Sequence, residues 1–186
     1  MRRHAIACCM APLVALMLAA PAMAQNAPKV DVAASFSALF DKELSTDLPG
    51  ANGWLPSGWL VSGAARVIGN LSLVGEVGAN YSSVSTAGID MSLSVFSALG
   101  GVRYTAKAGP RVLPFVQLLF GLARLHADAM GIGISDNEFA TQVGGGVDVA
   151  ISPKLAVRLQ GDYRALRSQY GAGNEFRLAT GIVYHF

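Results

Sequence analysis

From residue 30 to residue 186 the chain alternates apolar and polar positions with a period of two. The last stretch, "GNEFRLATGIVYHF" (173–186), shows it most plainly. Phe176, Leu178, Ile182, Tyr184 and Phe186 share one parity, interrupted by Thr180; Glu175, Arg177 and His185 share the other, beside Ala179, Gly181 and Val183. Successive side chains of a strand point to opposite faces, so this is a strand with one apolar and one polar side. The same reading predicts eight strands, at about 30–40, 59–68, 71–82, 91–105, 112–126, 137–151, 155–166 and 174–186. In the seventh, Leu155, Val157, Leu159 and Tyr163 oppose Arg158, Gln160, Asp162 and Arg164. In the sixth, Phe139, Thr141, Val143, Val147, Val149 and Ile151 oppose Glu138, Gln142 and Asp148. The phase of the fourth is ambiguous across "MSLSVFSAL", where a bulge is expected to shift the register.

The connections alternate in length. "IGN" (68–70), "AKAGPR" (106–111) and "SPK" (152–154) are tight turns rich in Gly, Pro and Asn. Between them lie longer segments at 41–58 and at roughly 83–90, 127–136 and 167–173. An even number of up-and-down strands puts all the short turns at one end and all the long loops at the other. A soluble barrel would bury the apolar face, whereas a membrane barrel turns it to lipid and keeps polar groups in the lumen. Residue size separates the two. The charged parity interleaves Arg and Glu with Gly and Ala, as a crowded lumen requires. The other parity carries Trp59, Tyr81, Tyr104, Tyr163, Phe176 and Phe186 towards strand ends, where bilayer interfaces place aromatic girdles. The expected fold is all-β: an eight-stranded antiparallel up-and-down transmembrane β-barrel.

Upstream, "MRRHAIACCMAPLVALMLAAPAMAQ" has a positive start at Arg2 and Arg3, an apolar run over 10–20, and Ala22-Met23-Ala24 before Gln25. This is a secretory signal peptide at 1–24, with an apolar part short for a membrane anchor. The barrel domain is then 25–186. Cys8 and Cys9 both precede the cut, so the mature chain has no thiol chemistry. Loss of Arg2 and Arg3 takes Lys+Arg from 14 to 12, equal to the 12 Asp+Glu, and no basic run remains to suit nucleic acid. After the signal, no run of 18 uncharged apolar residues is present to make a spanning helix.

With the signal, "GGVRY" (100–104), "PFVQLLFGLAR" (114–124), "GGGVDVAISPKLAVRLQGDYR" (144–164) and the closing "GIVYHF", the chain resembles the small outer-membrane β-barrel family that includes the OmpA and OmpX barrels. The resemblance implies residence in the outer membrane, contact with its lipid and lipopolysaccharide, and handling by the barrel-assembly machinery. In that family the machinery reads a last strand closing on Phe, which gives Tyr184 and Phe186 the role of an assembly signal. The periplasmic peptidoglycan-binding domain of the larger OmpA proteins has no counterpart in these residues.

The charged parity collects Asp31, Arg66, Glu76, Arg103, Glu138, Asp148, Arg158, Asp162, Arg164, Glu175 and Arg177. An eight-stranded barrel has an interior just wide enough for side chains, and buried charges must be paired to be tolerated. The expected arrangement is an ion-pair network plugging the lumen; the competing reading is a selectivity filter in a narrow channel for ions or small solutes. Catalytic signals are thin. His126 and Asp128, with Ser135 and Glu138 nearby, resemble outer-membrane lipid A deacylases, which place a histidine and a serine two apart on a strand. Here Asp128 stands where the nucleophile belongs, so no enzyme is expected. Asp128, Asp136 and Glu138 could hold a divalent cation or meet lipopolysaccharide phosphates through one, but solvated loop charge is the commoner meaning. "GGGVD" lacks the Lys-Ser/Thr and helix of a phosphate loop. No metal or cofactor site is assigned. The expected role is structural support of the envelope or adhesion-like surface presentation, and the loops name no ligand.

Overall fold

In the computed structural model, residues 29–41, 53–86, 89–129, 132–167 and 172–186 are described. The proposed signal peptide lies outside them. The elements are β1 (Val30–Asp41), β2 (Trp54–Leu55), β3 (Ser57–Ile68), β4 (Leu71–Thr86), β5 (Ile89–Thr105), β6 (Val112–Ala129), β7 (Ile132–Ala150), β8 (Leu155–Arg167) and β9 (Ala172–His185). Each pairs antiparallel with its neighbour in the order β2-β1-β3-β4-β5-β6-β7-β8-β9, and β1 pairs again with β9, from Asp31↔His185 to Asp41↔Glu175. The sheet therefore closes on itself and its eight long strands leave no free edge.

The two-residue β2 is a continuation of β3. Leu39↔Leu55 and Phe40↔Trp54 extend the β1–β3 ladder, which ends at Phe36↔Trp59, with one extra residue on the β2–β3 side. Pro56 sits in the gap; having no N–H to give a ladder, it belongs at such a bulge. A second irregularity lies in β3 between Arg66 and Ile68. The bulge expected near "MSLSVFSAL" is absent: β5 runs in unbroken register against β4 from Leu71↔Tyr104 to Thr86↔Ile89, and against β6. The ambiguous phase has another cause. Leu93, Val95 and Leu99 point into the lumen, while Ser92 and Phe96 point out. Around β5 the interior near the loops is apolar, which reverses the pattern without breaking the strand.

The strands also outrun the ranges expected from alternation. β4 and β5 reach Thr86 and Ile89, and β6 and β7 reach Ala129 and Ile132, so the segments expected as loops at 83–90 and 127–136 are mostly ladder. Main-chain pairing persists there after the apolar signal fades. The result is uneven: β1 and β3 have 12 residues each, β6 has 18 and β7 has 19. At the opposite end the connection from β3 to β4 is Gly69-Asn70, with Gly69 at φ 55°. A two-residue hairpin needs left-handed backbone of this kind, which glycine adopts without steric cost.

The outer wall is apolar along its middle. Phe36, Leu122, Leu159 and Ile182 are each more than half exposed, and Val143, Leu73 and Leu178 continue the surface between them. Soluble monomers seldom show contiguous apolar patches beyond a few hundred Å². On a closed barrel such a band is the lipid-facing surface, since every backbone group is already paired within the sheet.

Candidate functional site: the barrel interior

Alternation sends the second face of each strand inward, and closure brings these faces together. Near the turn end, Arg158 of β8 donates from Nε and Nη2 to both carboxylate oxygens of Asp148, each at 2.7 Å. Its Nη1 donates to Ser62 Oγ at 3.3 Å. Asp31 lies between two guanidiniums, at 3.4 Å from Arg103 and 3.5 Å from Arg158. Both guanidiniums lie over the Phe115 ring, 4.5 and 4.8 Å from its centroid, within cation–π range.

Deeper towards the loops is a second group. Arg177 of β9 donates to Asp162, at 2.7 Å from Nη2, and to Glu76 across the lumen. Gln142 and Gln160 donate to Glu76 at 3.0 and 3.3 Å. Arg164 donates to Glu175 at 3.1 Å, to Gln142 at 3.3 Å and to Ser97 at 3.3 Å. Gln117 joins the two groups. Its Oε1 accepts from Arg103 at 2.8 Å, and its Nε2 donates to Asp162 at 3.3 Å and Glu76 at 3.5 Å. Arg103, Arg158 and Arg177 are all about 1 % exposed, so these charges are withdrawn from water and depend on one another.

Glycines make room for this packing. A Cβ on Gly144 would overlap the Asp162 carboxylate, so the "GGGVD" run lets that carboxylate lie against the β7 backbone. A Cβ on Gly58 would likewise strike the Asn80 amide, which donates to the Ser37 carbonyl at 3.1 Å.

The structure thus brings Glu76, Arg103, Asp148, Arg158, Asp162, Arg164, Glu175 and Arg177 into one connected set, with Asp31 at its edge. Arg66 is half-buried at the turn-end mouth, lining a small polar cavity with Asp31, Arg103, Asp148 and His185. Glu138 is half-buried near the loop end of β7, on the lumen face. Tyr184 and Phe186 face outward, their rings edge-to-face with centroids 4.7 Å apart. Sequence reasoning put Gln142 and Gln160 on the polar face without assigning them to the network, and passed over Gln117, Ser62, Ser97 and Phe115. Ser62, Ser97, Gln142 and Gln160 share the parity of the inward charges on their strands, which was the available signal; Phe115 and Gln117 lie opposite in parity to Arg124, the charged residue of β6 whose side chain faces outward. Sequence reasoning also passed over an apolar layer at the loop end, where Leu39, Leu55 and Val95 are buried together with Leu125 against them.

His126 is exposed on the outer face, opposite Ser135 on β7. Ser135 Oγ accepts from Arg124 at 3.2 Å. Glu138 faces the other side of the sheet, so it does not orient His126. The side chains of Asp128 and Asp136 lie outside the described part of the structure. Among the described residues no three acidic or histidine side chains converge as a metal site would need.

A closed, all-antiparallel barrel with a lipid-compatible wall and a polar interior defines an outer-membrane β-barrel protein. The chain belongs to the outer membrane protein beta-barrel domain family, which it matches over residues 10–186. Solved structures share the fold. Neisserial surface protein A is 16% identical with a TM-score of 0.62, covering 84% of this chain and 96% of that one. The attachment invasion locus protein Ail of Yersinia pestis is 12% identical at 0.57, with the same coverage. The N-terminal barrel domain of Pseudomonas aeruginosa OprF is 12% identical at 0.50, covering 84% and 97%. No curated protein sequence matches the chain.

Proposed function

We propose that this protein is a structural, surface-presenting barrel whose lumen is sealed, made with a signal peptide at 1–24 and working as residues 25–186. The carrying observation is the span of Arg177, which links β9 to Asp162 on β8 and to Glu76 on β4 while almost wholly buried. Above it, Leu39, Leu55 and Val95 pack together near the loop end. A conducting pore needs a continuous water path, and the side chains bonded to one another across the lumen support the sealed reading. The role is non-catalytic, and no cofactor is required. The longer connections face outward from the cell, as in other barrels of this kind. Adhesion-like presentation is supported by the fold shared with Ail, which has been solved with the heparin analogue sucrose octasulfate. Exposed Arg124 and Arg167 at the loop end are placed to meet lipopolysaccharide phosphates.

Purified mature barrel reconstituted in planar bilayers is expected to give no steady single-channel steps. Reproducible unitary conductance would overturn the sealed reading in favour of a narrow channel.

The end of β9 serves the assembly machinery. Phe186 is 71% exposed, and its N–H donates to the Val30 carbonyl at 3.0 Å, so its ring hangs outside the closing seam where another protein could read it. Deleting Phe186 is expected to reduce the heat-modifiable folded band from cells severalfold, while the same variant refolds in detergent. Normal amounts of folded barrel in cells would remove this role.

A further inference from the structure

The exposed charges of the turn end carry one sign. Every charged side chain in the turn-end segments is positive: Lys29 before β1, Lys107 and Arg111 between β5 and β6, and Lys154 between β7 and β8. All four are exposed. No acidic residue occurs in 29–30, 68–70, 106–111 or 151–154. The loop end is mixed in sign: exposed Arg124 and Arg167 lie there, and Asp41, Asp90, Asp128 and Asp136 fall near strand ends in the sequence.

The turn-end cations are spread around the mouth, and the main chain beside each is fixed. Arg66 N–H donates to the Lys29 carbonyl at 2.8 Å, Ala150 N–H to that of Arg111 at 2.7 Å, and His185 N–H to that of Lys154 at 2.8 Å. The backbone is anchored while the long side chains remain in solvent. Next to them are some of the most exposed apolar groups among the described residues: Ile68 at 71%, Ile151 at 68% and Val67 at 62%. A ring of cations directly bordering an apolar girdle matches the boundary of a leaflet, where acyl chains give way to phosphates. A soluble polyanion would use the cations but leave the girdle without a partner.

We propose that the turn end is an anionic-headgroup docking ring, in which Lys29, Lys107, Arg111 and Lys154 engage phosphate groups of acidic phospholipids in the leaflet nearest the turns. Lysine and arginine stems lie along apolar surface while their charged heads reach the phosphates. Each contact confers a roughly fivefold preference for an anionic over a zwitterionic lipid at low salt, screened as the Debye length shrinks.

The test uses the mature barrel in phosphatidylcholine vesicles carrying spin-labelled phosphatidylglycerol or phosphatidylcholine, with the relative association of each lipid read by electron paramagnetic resonance. The wild-type barrel is expected to favour phosphatidylglycerol severalfold, and to lose most of that preference in 0.5 M salt, roughly a threefold shorter screening length than at 0.05 M. The variant Lys29→Gln, Lys107→Gln, Arg111→Gln, Lys154→Gln is expected to associate with both lipids about equally while keeping the folded gel band. Equal association by the wild type, or a preference that survives both salt and the four substitutions, would overturn the proposal. Binding of inorganic polyphosphate to the barrel in pure phosphatidylcholine, as tight as its hold on phosphatidylglycerol, would replace the lipid with a soluble polyanion. Failure of the wild type to fold into vesicles would instead reject the membrane barrel itself.

Discussion

Arg177→Met is expected to destabilise the barrel by about 3–5 kcal/mol, the usual cost of deleting one partner of a buried charge cluster. Arg177 donates to both Asp162 and Glu76, and neither carboxylate has appreciable contact with water. Removing the guanidinium leaves two anions facing each other across the lumen, with only the amides of Gln117, Gln142 and Gln160 to solvate them. Methionine fills much of the volume, so the loss reports charge rather than a cavity. Adding Glu76→Gln and Asp162→Asn to the same protein is expected to recover much of the stability, because the cluster is then neutral as a whole. Urea unfolding in vesicles measures both. An unchanged midpoint for the single variant would show that the network contributes nothing to holding the barrel.

The second large effect lies one layer away. Leu159, 58% exposed, is on the outer face between strands that present Val147 and Thr180 beside it. Leu159→Arg is expected to cost about 2–4 kcal/mol in lipid if this point lies near the bilayer midplane. Its neighbour Arg158 points inward to Asp148. Single cysteines make the contrast sharper. Those at 157, 159 and 163 are expected to react with a lipid-soluble maleimide, and those at 158, 160 and 162 to be shielded. Ready labelling of 158, 160 and 162 by a water-soluble reagent, with 157 and 159 protected, would mean that the wall and the lumen had been exchanged.

Period-two alternation carried most of this architecture. Where one face is lipid and the other a crowded interior, as for Leu155–Arg167, the two parities differ so strongly that strand, face and register direction can all be read from the residues. The reading weakened where that chemical contrast weakens. Leu93 and Val95 are apolar and inward, a combination that looks like a slipped register until the apolar layer with Leu39 and Leu55 is seen. The bulges at Pro56 and after Arg66 depend on ladder geometry, which a single strand's pattern does not encode. The charged residues announced themselves by type. Gln117 did not, although it ties the two charged groups together: an amide is unremarkable on a strand until its neighbours across the lumen are known. Phe115 looked like one more apolar residue of "PFVQLLF", yet its parity places it inside beneath two arginines.

The unequal strand lengths give the molecule a front and a back. The long strands β4, β5, β6 and β7 are consecutive around the circumference, and so are the short ones, β8, β9, β1 and β3. The cylinder is therefore cut obliquely. With about five extra residues at 3.3 Å each and a tilt near 40°, its high side stands roughly 13 Å above its low side. What a passing molecule meets depends on its azimuth. From the low side it faces the ends of β8, β9, β1 and β3, with a screen of paired backbone from β4 to β7 rising behind them. From the high side it meets the outer face of that screen. The two halves of the wall are therefore not equivalent, and orientation about the barrel axis is a property of the fold.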